Sequence, residues 1–115
     1  MASSSANPRN ANGHRRRALK RRMRAQGLPC WLCGFPIDYG LPSTNDLGFV
    51  VDEEVPVCEG GDPYDPRNTH PAHRCCNAWR GRKRVTPELK AAIRKRFMAL
   101  ARSRKAKTDR TIVRW

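Results

Sequence analysis

Apolar positions are thinly spread along this chain, and their spacing changes character several times. Residues 14–26 read HRRRALKRRMRAQ, a basic run in which Leu19 and Met23 stand four apart. That spacing predicts a short helix over about residues 13–26 with a narrow apolar stripe, stopped at Gly27. Residues 49–57, FVVDEEVPV, carry β-branched residues on both sides of three acids and read as a strand or hairpin arm. The stretch CEGGDPYDPRN that follows is a loop, its turns marked by Gly and Pro. A short helix is expected over 71–79, stopped by Gly81. Thr86-Pro87-Glu88 marks a further helix start: Thr as N-cap, Pro in the first turn, Glu against the dipole. Leu89, Ile93, Phe97 and Leu100 recur on one face of that helix, which is expected to run to about Ser103. Residues 1–12 are small and polar and are expected to be disordered; the tail to Trp115 is left unassigned. The fold class read from this pattern is α+β. Three parts follow: a basic arm and helix over 1–28, a central domain over 29–84, and a basic helix and tail over 85–115.

Charge sharpens that division. The 115 residues carry a net charge of +14. It splits into +8 for residues 1–29, −6 for 30–79 and +12 for 80–115, which recovers the total. Basic wings of this density point to a polyanion, most often nucleic acid. The acidic centre between them should repel phosphate unless a cation sits there. A chain this short buries a modest core, so a metal staple is physically reasonable. No apolar run is long enough to span a membrane, and the N-terminal stretch lacks the apolar segment of a signal peptide. A cytoplasmic location with reduced thiols is therefore expected, and an odd count of five cysteines argues against a purely disulfide framework.

Cys30-x2-Cys33 and His73-x2-Cys76 are two ligand pairs about forty residues apart. Each spacing lets two side chains reach one ion from a tight turn or a helix start, and Zn²⁺ favours a closed tetrahedral shell of such ligands. The four are expected to hold one structural zinc. Cys75 and His70 compete for the second pair, but His73 and Cys76 mirror the spacing of the first. Cys58 and Cys75 read as spare thiols, and His70 as a surface or packing residue. A redox role for Cys30 and Cys33 lacks the βαβ pattern that would support it.

Taken in order, the motifs CWLCG, VVDEEVPVCEGG, RN and HRCCNAWRGRK resemble the HNH endonuclease family, most closely its small phage-encoded members. The resemblance spans residues 29–83, about half the chain. It implies a ββα-metal (His-Me finger) fold and a metal-dependent DNA endonuclease or nickase. In the family pattern a strand ends Asp-His before an apolar-Pro step and Gly-Gly; a loop Asn and a zinc-bearing helix follow. By that resemblance Asp52 holds a catalytic divalent ion, Mg²⁺ or Mn²⁺, and Asn77 is the second ligand. Glu53 stands where the family has its general base, a His. Asn68 orients the base, and Pro56 with Gly60-Gly61 makes the turn. For a phage protein the resemblance implies work on phage DNA in the host cytoplasm, beside the packaging terminase.

The chemistry fits those residue types. Cutting DNA requires an activated water and a cation on the scissile phosphate. Hard ions take oxygen ligands, which Asp52 and the Asn77 carbonyl would supply. Glu53 would accept the water's proton, although an unperturbed Glu is about two units less basic than His. Arg80, Arg82, Lys83 and Arg84 follow the motif directly and are expected to contact phosphate, while Trp31 and Trp79 are expected to pack beside the zinc. Two other readings stand beside this one: a zinc-stapled nucleic-acid-binding protein with a decayed nuclease site, and, on charge alone, an RNA- or ribosome-associated protein.

Overall fold

The structure, a computed structural model, describes residues 8–113. Three helices and a two-stranded sheet follow in the order α1 (Pro8–Gln26), β1 (Phe49–Glu53), β2 (Thr69–His73), α2 (Arg74–Arg80) and α3 (Pro87–Val113), with one 3-10 turn at Val57–Glu59. The α+β class is observed.

α1 starts earlier than the pattern suggested. Proline suits a helix's first turn because its missing N–H would have no partner there, and Gly13 is carried inside the helix at a cost of about 1 kcal/mol. Residues 8–12 are thus helical rather than disordered; the rest of that expectation, 1–7, lies outside the described residues. Leu19 and Met23 are buried, and the Gly27 amide closes the last turn on the Met23 carbonyl at 3.1 Å. α3 starts as expected, with Thr86 Oγ1 accepting from the Leu89 amide at 3.1 Å. It runs on past Ser103, since neither Gly nor Pro occurs after Pro87 to stop it. Ile93 and Phe97 of its apolar face are buried, with Leu89 and Leu100 packed partly against the core.

The expected helix over 71–79 is corrected: residues up to His73 belong to β2, and the helix begins at Arg74. Pro71 is tolerated because a two-stranded sheet leaves each strand one open edge, where a missing N–H breaks no ladder bond. The Pro71 carbonyl accepts from the Trp31 amide at 3.0 Å, so the Cys30–Cys33 turn lies along that edge. β1 and β2 pair antiparallel with Phe49 opposite His73, Val51 opposite Pro71, Asp52 opposite His70 and Glu53 opposite Thr69.

Among the side chains that hold the loop between the strands, Asn68 makes three bonds. Asn68 Oδ1 accepts from the Val55 amide at 2.8 Å, and Nδ2 donates to the Val55 and Asp62 carbonyls at 3.0 Å each. Gly60-Gly61 permits this closure. Gly60 has φ +91°, and a Cβ on Gly61 would overlap the Val55 carbonyl oxygen and crowd Asn68 Nδ2.

Candidate functional site

The zinc-ligand expectation is met in geometry. Cys30 and Cys33 sit on a turn closed by the Gly34 amide on the Cys30 carbonyl at 2.8 Å; His73 ends β2 and Cys76 lies in the first turn of α2. The ligand atoms of the four side chains lie within 4.8 Å of one another, and all four residues are buried. His73 Nε2 is 3.0 Å from the Pro36 carbonyl, an oxygen that can only accept, so Nε2 carries the hydrogen. Nδ1 is therefore turned to the thiols, 3.3 Å from Cys33 Sγ and 3.8 Å from Cys76 Sγ. That backbone-anchored imidazole is the arrangement metal-bound histidines adopt. The Phe35 and His73 amides point at Cys33 and Cys30 sulfur, at 3.5 and 3.4 Å.

The protonation of the group carries the same message. Hydrogen bonds from Cys33 and then Cys76 drive the Cys30 thiol far down, whereas contact with Cys30 and Cys33 drives Cys76 up. Burial alone would lower His73, but the neighbouring sulfurs of Cys30 and Cys33 override it and push it up to about 10. Three thiolates and a neutral imidazole cannot share one buried volume without a cation, so protons stay on His73 and Cys76. A soft divalent ion would displace them, and the donor set fits zinc. Phe97 covers the group, its ring 4.4 Å from that of His73 and 5.4 Å from that of Phe35. Of the two tryptophans expected beside the zinc, Trp31 stacks on His70 at 4.2 Å, and Trp79 lies against the Arg96 guanidinium at 4.4 Å. Cys75 is buried without joining the ligand set, and Cys58 is exposed.

The strand acids divide between two faces. Alternation along β1 sends Asp52 to one side and Glu53 to the other, and Glu54 follows just past the strand's end. Residues directly opposite in an antiparallel pair share a face, so His70 joins Asp52, and Thr69 joins Glu53. Asp52 is buried, 8% exposed in its side chain, and its Oδ2 accepts from Arg80 Nη1 at 2.8 Å and from Trp31 Nε1 at 3.0 Å. Burial raises the Asp52 carboxyl, against the opposing pull of Arg80 and Trp31. Glu54 Oε1 lies 3.1 Å from His70 Nε2. Glu53, expected as the base, is half-buried on the opposite face. Asn77 is half-buried on α2, and Asn68 braces the loop backbone beside Glu54 rather than touching Glu53.

Arg80 is placed differently from its three basic neighbours. It is 2% exposed, and besides Asp52 its guanidinium donates to the Glu53, Glu54 and Lys83 carbonyls. All its nitrogens serve the chain itself, so its geometry is that of a clamp and not of a phosphate contact. Arg82, Lys83 and Arg84 are exposed. Arg82 and Arg84 line a cavity of about 370 Å³ together with Glu54 and Glu59. The pairing of His70 with Glu54 escaped the sequence because it depends on β2 and its register, and the inward turn of Arg80 because it depends on α2 meeting β1. Among the described residues no helix is long and apolar enough to cross a membrane. The chain matches no protein-family model, and no curated protein or solved structure matches it.

Proposed function

We propose that this chain is a zinc-stapled DNA endonuclease or nickase of the HNH type, with a ββα-metal core and a divalent ion at Asp52. One observation carries the reading. A strand, a loop braced by an Asn, a second strand and a helix follow in the order the sequence motifs imply, with zinc-type ligands joining turn, strand and helix. Along the chain the acids of that unit are flanked by two helices dense in Arg and Lys, suited to hold a duplex backbone without reading bases.

Asp52 fits a hard cation through one oxygen. Trp31 and Arg80 both bond Oδ2, so Oδ1 would take the ion, with the Asn77 carbonyl as second donor. Ligating carboxylates are commonly tied through their other oxygen in this way. Bound there, Mg²⁺ or Mn²⁺ would stabilise charge developing on the phosphate. Arg80 holds Asp52 and the backbone at Glu53 and Glu54 in place, and Arg82, Lys83 and Arg84 supply phosphate contacts. The resemblance extends the proposal to phage DNA in a host cytoplasm, with the packaging terminase as a partner.

Nicking of supercoiled plasmid with Mg²⁺ or Mn²⁺ is the test. The parent should convert it to open circles, and Asp52→Ala should abolish conversion while still binding DNA. A second reading has a specific observation behind it: the Arg80 guanidinium already neutralises Asp52. If the parent binds DNA but cuts with neither ion, the chain is a zinc-stapled binding module and the nuclease reading fails.

A further inference from the structure

We infer that the His70 imidazole, held by Glu54, is the general base of this site, a role neither the motifs nor the resemblance assigns to it. The inference rests on the nuclease reading and names the residue that activates the water. Three geometric observations carry it.

The first is position. The cross-strand pairing sets His70 directly opposite Asp52, so the imidazole shares a sheet face with the carboxylate proposed to anchor the ion. Glu53 lies on the reverse face. The second is orientation. His70 Nε2 is 3.1 Å from Glu54 Oε1, and an ionised carboxylate can only accept, so the ring hydrogen resides on Nε2. Nδ1 is then the nitrogen with a free lone pair, and among the described residues no hydrogen bond is made to it. A carboxylate that fixes the tautomer of a proton-accepting histidine is a recurrent catalytic arrangement. The third is rigidity with access. Trp31 stacks on the His70 ring at 4.2 Å, and the same indole donates to Asp52, so one side chain positions both. His70 nevertheless keeps 27% of its side chain exposed, and Glu54 56%, so water reaches the pair.

The step balances without a further reactant. A water O–H bond breaks and its proton passes to Nδ1 of His70. The water oxygen bonds to phosphorus, and the bond from phosphorus to the leaving sugar oxygen breaks. That oxygen keeps the electron pair and takes a proton from solvent, and the imidazolium returns its proton to solvent afterwards. Histidine suits the task because an imidazole nitrogen with a free lone pair can take a proton from water within hydrogen-bond reach. A chain with Glu at the strand position where the family has His would thus carry its imidazole on the neighbouring strand.

Steady-state nicking separates the outcomes. His70→Gln should lower kcat by about 10²-fold or more, the scale of general-base loss, with KM and DNA affinity unchanged. His70→Gly should be restored in part by imidazole added to the buffer, a rescue that a merely structural role would not show. Glu54→Gln, which leaves His70 in place but frees its tautomer, should lower kcat by less than His70→Gln. Zinc content measured on each variant confirms that the fold is intact. If the parent cuts and His70→Gln cuts equally fast, the inference is overturned while the nuclease reading stands; loss of cutting in Glu53→Gln alone would return the role to Glu53. A parent that fails to cut with either Mg²⁺ or Mn²⁺ overturns both.

Discussion

At the scale of the residue, Arg80 shows how a side chain's role is set by what surrounds it. The four residues that follow it are basic or glycine, and a run of that kind ordinarily lies in solvent. Here the guanidinium is buried and bonds four acceptors, one of them the Asp52 carboxylate. A planar fork of donors can meet such a set and an ammonium cannot. Removing one partner of a buried ion pair leaves the other charge uncompensated, which costs about 3–5 kcal/mol. Arg80→Ala should therefore lower unfolding free energy by that order in urea titrations of the zinc-loaded protein. Arg80→Lys should recover only part of the loss. An Arg80→Ala protein as stable as the parent would mean that the Asp52 ion pair contributes nothing.

At the scale of the element, α2 is too short to hold itself. Isolated helices of its length are marginal in water, and a two-stranded sheet is little better. What joins them is the four-ligand group, which draws on the Cys30–Cys33 turn, the last residue of β2 and the first turn of α2. Metal binding is then folding energy for the central region. One Zn²⁺ per chain is expected by metal analysis, and a strong chelator should abolish the near-UV dichroism of Trp31 and Trp79. Cys33→Ser or Cys76→Ser should do the same, and well-folded protein free of zinc would end this reading. The ion must displace protons from His73 and Cys76, since His73 is pushed up to about 10 in the ion-free group. Zinc affinity should accordingly fall as pH falls.

At the scale of the whole molecule, the two basic wings are built into the fold. α1 buries Leu19 and Met23, and α3 buries Ile93 and Phe97, so each helix is anchored by an apolar stripe and turns its charge outward. Arg16, Arg17, Arg21 and Arg22 are exposed on α1. Changing all four to Gln keeps the stripe while removing four charges. DNA affinity should then fall, and the slope of log affinity against log salt should flatten by up to about 0.9 for each phosphate that α1 no longer neutralises. An unchanged slope would mean that α1 touches no phosphate. Deleting the helix would confuse the result, because Leu19 and Met23 belong to the core.

The sequence by itself determined whatever depends on spacing within one segment. The ligand pairs were legible because two residues between two ligands fit one ion. The α3 start was legible because Thr86, Pro87 and Glu88 each meet a local need of a helix terminus. The stripe of α1 followed from its own spacing, and β-branched residues marked a strand over 49–57, of which the structure keeps Phe49–Glu53. Tertiary structure decided the rest. β2 was hidden because THPAH is short, holds a proline and shows no clear alternation, so local preference pointed elsewhere. Without β2 there is no register, and without register nothing sets His70 opposite Asp52 or parts Glu53 from Glu54. The inward turn of Arg80 likewise depends on α2 meeting β1 from a distance in sequence. Which acid faces which partner is a property of the pairing of two strands, and no single strand carries it.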